Sequence, residues 1–403
     1  MNTSENIVAA NAPVKNFSFW RNTLVPLALS AAVVVLFVMA GPLGVLKQSV
    51  PPIEKVSIQR VILQPEEMTI KIVNDGPDPV TISQILINEA YWKFTMEPSQ
   101  TIPRLGQASI HAYYSWIEGE TENITLVTST GVTFEIEVPV ATAAPTPNAR
   151  YLASFALLGV YVGVIPVFLG LLWLPALRKL NLNWYNFLLA LTVGLLVFLG
   201  IEALAEAIEI IQVTPQVYQG LGVLTIGLFL AILLLASVSH RGKIKSQLKG
   251  EGYQNLILAY MVAFGIGIHN LGEGLAIGGA YAVGEVSLGA LLVIGFMIHN
   301  VTEGVAVVAP VAKTGVKIKQ IILMGLLAGV PTIFGTWLGG FTYSAVWSVF
   351  FLSVGAGAIF QVVYSITNYM RKNAGTNLMS FQNAAGFILG LLIMYLTGFL
   401  VAA

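Results

Sequence analysis

Apolar residues in this chain come in long runs, not in the narrow stripes of a soluble fold. A helix needs about 20 mostly apolar residues to cross the hydrocarbon core of a bilayer. Nine segments meet that length, labelled in chain order α1 (Thr23–Leu46), α2 (Tyr151–Leu177), α3 (Trp184–Ile211), α4 (Val217–Val238), α5 (Asn255–Ala280), α6 (Val286–Val311), α7 (Ile318–Gly340), α8 (Ala345–Met370) and α9 (Ala384–Ala402). One stretch breaks the pattern. Between α1 and α2, alternating or β-rich runs recur at Val56–Leu63, Met68–Val73, Val80–Ile87, Ser109–Tyr114, Asn123–Thr128 and Val132–Val138, with turn signals at Asn74-Asp75-Gly76-Pro77 and Ser129-Thr130-Gly131. Short strands at this spacing predict a small β-sandwich. The Ala-Thr-Pro stretch Ala141–Asn148 reads as a linker into α2. The expected fold is therefore a polytopic α-helical membrane protein in three parts: a tail and transmembrane anchor (1–46), a β-sandwich-like domain (47–149) and an eight-helix bundle (150–403).

Composition agrees. Of 403 residues, 56% are hydrophobic and 10% charged, against about 25% charged in a soluble domain. Twenty basic residues balance twenty acidic ones, so nucleic acid is not an expected partner, and membrane lipid is. The absence of cysteine excludes disulfides, thiolate catalysis and zinc fingers.

The order of the charges orients the chain. With the N-terminus inside, the inner loops carry Arg178 and Lys179, then Arg241, Lys243, Lys245 and Lys249, then Lys313, Lys317 and Lys319, then Arg371 and Lys372. The outer loops α3–α4, α5–α6 and α7–α8 carry no Lys or Arg. This positive-inside asymmetry predicts a multi-pass protein of the cell (inner) membrane, with a cytoplasmic N-terminus and an extracytoplasmic β-domain and C-terminus. The small-residue end Val38-Met39-Ala40 of α1 also fits a signal peptide. The apolar run past Gly41 and Pro42 favours an uncleaved anchor, and both readings put the next segment outside. Residues 47–149 hold twelve of the twenty acids.

Few ionisable groups remain inside the spans, where they are costly and usually face a partner or a cavity. α3 has Glu202, Glu206 and Glu209, α5 has His269 and Glu273, and α6 has His299 and Glu303. The last two sets are an internal repeat: His269-Asn270-Leu271-Gly272-Glu273-Gly274 returns as His299-Asn300-Val301-Thr302-Glu303-Gly304. One short outer loop joins α5 to α6, so the copies run in opposite directions. At about 1.5 Å per residue both histidines lie roughly 21–23 Å from that turn, at matched depth. His and Glu at i and i+4 share a helix face. Two imidazoles and two carboxylates converging in a small volume suit Zn²⁺ and, less selectively, Fe²⁺ or Mn²⁺. Asn270 and Asn300 add carbonyl oxygens. Glu202, Glu206 and Glu209, at i, i+4 and i+7, form one stripe and read as an acidic funnel drawing cations from outside. His111 and His240 have no second ligand at a metal spacing.

On these residues the sequence resembles the ZIP family of divalent-metal transporters, in its GufA-like branch. The motif halves are His269-Asn270-x-x-Glu273-Gly274-Leu275-Ala276 and His299-Asn300-x-x-Glu303-Gly304-Val305-Ala306. α3 looks like the second helix of the family's eight-helix unit, and Gly355–Gly357 looks like part of its seventh. The resemblance covers residues 151–403 and implies movement of a divalent metal substrate toward the cytoplasm. It carries the primary ligands onto His269, Glu273, His299 and Glu303, and a second adjacent site onto Asn270, Asn300 and the shared Glu303. The chain departs from the family at Thr332, where an acidic residue is usual, at Tyr364-Ser365-Ile366, where a late Glu is usual, and in a short basic α4–α5 loop, so a mononuclear pathway is expected. α1 and the β-domain lie outside the family unit. Family members are often dimers, so a homodimer is the assembly implied; no enzymatic activity is.

Two other classes fit parts of the pattern. Paired intramembrane histidines could ligate a haem for electron transfer, although the Glu at i+4 suits a bare dication better. A metallohydrolase would need His-Glu-x-x-His, which the sequence lacks. The β-domain reads as a binding or assembly module.

Overall fold

The computed structural model describes residues 16–40, 52–249, 251–284, 286–373 and 378–402. α1 is a helix over Asn16–Ala40 with Pro26 inside it, and it belongs to a unit separate from residues 54–403. Its apolar stretch Thr23–Phe37 is short for a span. Residues 41–46 of the expected segment lie outside the described residues.

Residues 56–138 form nine antiparallel strands: β1 (Val56–Gln64), β2 (Glu67–Asn74), β3 (Val80–Ile87), β4 (Ala90–Trp92), β5 (Phe94–Glu97), β6 (Thr101–Ile102), β7 (Gln107–Tyr113), β8 (Glu122–Thr128) and β9 (Thr133–Val138). One sheet has the order β1-β2-β7-β5, the other β4-β3-β8-β9 with β6 on β3. Alternation along the strands supplies the shared core: Met68, Ile70 and Ile72 from β2, Ile82 and Ile85 from β3, Ile110 from β7, and Ile124 and Leu126 from β8. The six expected strands are present. Strands β4, β5 and β6 are additional; they run only two to four residues and lie at the sheet margins, too short for an alternation to register.

Eight helices among the described residues are long and apolar enough to cross a membrane. They are α2 (Ala149–Arg178), α3 (Leu182–Val213), α4 (Gly220–Lys249), α5 (Glu251–Ala282), α6 (Val286–Val308), α7 (Ile318–Thr342), α8 (Ala345–Asn373) and α9 (Phe381–Ala402). Two of them are broken. α2 loosens into a π turn at Val160–Val164 just before Pro166, and α7 divides at Val330, just before Pro331. Proline lacks the N–H that would continue the ladder, which frees a carbonyl one turn back. In packing, α5 lies against α7 and α6, and α6 against α2; α3 lies against α8 and α9, and α4 against α8.

The β-domain meets the bundle through charges at helix ends. The buried Asn74 side chain donates to the carbonyls of Asp78 (2.7 Å) and Ile102 (3.0 Å) and accepts from Gly76 N (2.9 Å). The turn shaped in this way presents Asp75. Asp75 accepts from the backbone N–H groups of Gln216 (3.0 Å) and Val217 (2.6 Å), which open the single turn Gln216–Tyr218 ahead of α4, and pairs with Lys55 at 3.1 Å. Burial pushes this carboxyl up, but the two N–H groups and Lys55 outweigh it and hold the group below the ordinary carboxylate range. At the other end, buried Arg60 donates from Nη1 to the carbonyl of Phe341 (3.3 Å) at the C-terminal end of α7. Burial lowers its guanidinium pKa.

A carboxyl held low in the fold adds stability above its unfolded pKa and loses it as pH falls through the folded value. We therefore expect Asp75→Asn to cost about 1.5–3 kcal/mol at pH 7, the worth of a hydrogen bond to a charged group. The gap to wild type should shrink as pH drops below about 4. Thermal unfolding of both proteins across that range checks it; a gap independent of pH would refute the capping role.

Candidate metal centre

His269, Glu273, His299 and Glu303 come together. One ligand atom from each lies within 4.8 Å of the others, and all four side chains are buried. The i, i+4 spacing aligns each His with its Glu, and the antiparallel packing of α5 and α6 turns the two ladders toward each other. Glu273 Oε1 accepts from His299 Nε2 at 2.5 Å and lies 3.3 Å from His269 Nε2, and Glu273 Oε2 accepts from Asn300 Nδ2 at 3.0 Å. Phe296 packs on the His299 ring at 5.4 Å between centroids.

The opposite half of the cluster has acceptors without donors. Neither Glu303 oxygen accepts a hydrogen bond of normal geometry, the Asn270 amide being a near donor, and Asn270 Oδ1 and Asn300 Oδ1 have no partner. Buried acceptors are almost always satisfied, because leaving them bare costs about 1–3 kcal/mol each. A buried carboxylate short of donors, beside two imidazoles and a second carboxylate, is a set of groups that could hold a cation.

The asparagines also hold the scaffold. Asn300 Nδ2 donates to Val162 O at 2.9 Å, the carbonyl that Pro166 leaves without its helical donor. Asn270 Nδ2 donates to Ala328 O at 3.1 Å, beside the break at Pro331. The glycines complete the same contact twice. A Cβ on Gly304 would fall 2.2 Å from Val167 O and 2.9 Å from the Cα of Gly170, while one on Gly274 would fall 2.3 Å from Thr332 O and 2.9 Å from the Cα of Gly335. Only glycine permits backbones this close. α2 and α7 thus share a Pro-x-x-x-Gly pattern, Pro166 to Gly170 and Pro331 to Gly335, each seated against one copy of the α5–α6 repeat. This second repeat is the sequence signal for the supporting helices, and a reading centred on charged residues passes over it.

The remaining expected residues fall as follows. Glu202 and Glu206 on α3 are half-buried and Glu209 is exposed. Glu202 lies within electrostatic range of His299 and His269, and Glu206 of His269 and Glu273. Gly355 of α8 packs against the His269 backbone, where a Cβ would fall 3.2 Å from the His269 Cα. Thr332 is fully buried, its Oγ1 unbonded and facing Gly163 of α2. Ser365 is also buried, with an unbonded hydroxyl. His111 sits on β7, bonded to Glu67 (3.0 Å) and Thr69 (3.1 Å), and His240 is exposed near the end of α4. The haem alternative gains no support: both imidazole Nε2 atoms turn to one carboxylate oxygen, where a porphyrin would have to lie.

No curated protein matches the chain. Residues 234–397, which include both copies of the His-Asn-x-x-Glu-Gly repeat, match the family model described as ZIP Zinc transporter.

Proposed function

We propose that the protein is a GufA-like secondary transporter that carries divalent metal ions, zinc first and iron or manganese also, across the cell (inner) membrane toward the cytoplasm. The carrying observation is the set of unbonded acceptors on Glu303, Asn270 and Asn300 beside two imidazoles and a second carboxylate. His269, Glu273, His299 and Glu303 are the proposed ligands; two carboxylates offset the charge of the dication and so lower the cost of burying it. Glu209, Glu206 and Glu202 step inward from exposed to half-buried and form the proposed funnel. Thr332 and Ser365 bring no negative charge, which favours one metal ion at a time.

As the cluster stands, His299 Nε2 donates to Glu273 Oε1, so a metal ion taking that nitrogen must displace a proton. Metal binding should therefore release protons, read by calorimetry in buffers of different ionisation enthalpy. A heat independent of the buffer would contradict the exchange.

Flux into proteoliposomes, with zinc, iron and manganese in competition, tests the function. His299→Ala and Glu303→Ala should fall to the flux of empty vesicles; unchanged flux in either sinks the proposal. Asn300 touches Glu273 without being a primary ligand, so Asn300→Ala should weaken metal binding by about 10–100-fold, as loss of a supporting hydrogen bond does. Direct titration of the purified variant measures it.

A further inference from the structure

The β-domain touches both packing groups of the bundle. Helices α5 and α6 carry the candidate metal centre, with α2 and α7 packed on them; α3, α4, α8 and α9 form the other group, joined to the first where α8 packs on α5 and α9 on α6. On the second group, the α3–α4 loop receives Asp75 at Gln216 and Val217, and Tyr218 Oη accepts from Gln59 (3.1 Å) and Gln107 (2.6 Å). On the first group, Arg60 reaches the carbonyl of Phe341, and the segment after β9 lies against the α5–α6 loop, so close that a Cβ on Gly284 would fall 2.6 Å from Val140 O.

A bulge in β1 makes the double contact possible. Neighbouring residues of a regular strand point to opposite faces, so Gln59 and Arg60 could not both face the bundle. The β1–β2 register shifts between Ile58 and Arg60, and an extra residue at such a shift re-aims the side chains beside it. Gln59 and Arg60 consequently engage different groups of helices from adjacent positions.

On the metal-bearing side the chain also continues through residues 139–148 into α2, but the side-chain attachments on the two sides differ in strength. Asp75 has two backbone N–H groups and Lys55, and the Tyr218 hydroxyl has two amide donors. Arg60 holds one carbonyl at 3.3 Å, and its Nε is buried without a partner. A cleft of about 400 Å³, lined by Gln59, Gln107, Val213, Tyr218, Tyr343 and Trp347, separates the domain from the bundle beside these contacts.

We propose that the β-domain is an outer clamp: anchored on the α3–α4 loop through Asp75 and Tyr218, it holds the metal-bearing helices through Arg60, and this second contact must open for each transport cycle. The proposal rests on the transport reading, which requires the two groups of helices to move relative to each other.

The chain has no cysteine, so introduced pairs are the sole thiols. One variant carries Arg60→Cys with Thr342→Cys, the exposed neighbour of Phe341; the other carries Gln107→Cys with Tyr218→Cys. Each full-length protein is bridged in proteoliposomes with a short bifunctional thiol reagent that a reductant cleaves, and zinc flux is read before bridging, after bridging and after cleavage. Bridging Arg60→Cys to Thr342→Cys should abolish flux and cleavage restore it, while the Gln107–Tyr218 bridge should leave flux unchanged. Undiminished flux with the first bridge overturns the clamp, and loss of flux with the second overturns the anchor. Absence of flux in unbridged wild type overturns the transport reading itself, and the clamp with it. Should the first pair fail to fold, Arg60→Cys with Tyr343→Cys replaces it.

Discussion

A carboxylate in the middle of a membrane has to be answered by positive charge or by hydrogen-bond donors, because the surrounding hydrocarbon offers neither. Glu273 is answered within the protein, by two imidazoles and the Asn300 amide. Glu303 is not, although it is as deeply buried. Much of the surrounding architecture follows from placing these two unlike carboxylates side by side. Helices α5 and α6 must run antiparallel at close range, their glycines must admit α2 and α7, and those helices must expose carbonyls for the asparagines. A cluster that is half satisfied can hold a cation and also release it, whereas one fully satisfied by protein would have no reason to bind.

The two-sided support solves a geometric problem. One asparagine amide has two hydrogens and one oxygen. At both repeats the nitrogen braces a neighbouring broken helix, and the carbonyl oxygen stays unbonded. The bracing fixes the side chain and leaves its carbonyl oxygen without a donor. Proline in α2 is part of the same device, since Pro166 leaves the Val162 carbonyl without its α-helical donor; in α7 the partner, Ala328 O, lies three residues before Pro331. The breaks are therefore features of the site, although they contain none of its ionisable groups.

Much of this is legible in the chain. Eight apolar runs become eight spanning-length helices, and the His-Asn-x-x-Glu-Gly repeat locates four groups that the structure brings within 4.8 Å. The i, i+4 face is a local property of a helix, which is why it survives the passage from sequence to structure. Contacts between distant segments are less legible. Asn270 and Asn300 read as sources of oxygen ligands, and their bracing role depends on carbonyls in helices far away in sequence. Thr332 stands out in the sequence for the charge it lacks, while its surroundings are set by Gly163 of α2. In the β-domain, the alternation marks the core strands but cannot reveal the short marginal strands or the shift in β1, because a bulge is a relation between two strands.

The attachment of the β-domain follows from the same electrostatics in a wetter setting. Residues 47–149 carry most of the acid in the chain, yet among the described residues it is Asp75 and Arg60 that make charged contacts to the bundle. Asp75 meets backbone N–H groups at the start of a helical turn, and Arg60 meets a carbonyl at the end of α7. Each charge sits where the helix dipole favours it. A broad apolar interface would bury more area and hold the domain permanently, since separating it would expose that surface to water. Charged contacts at helix ends can break and reform, because water can replace either partner. The two contacts are unequal: several donors converge on the Asp75 carboxylate, whereas the guanidinium of Arg60 donates to one carbonyl.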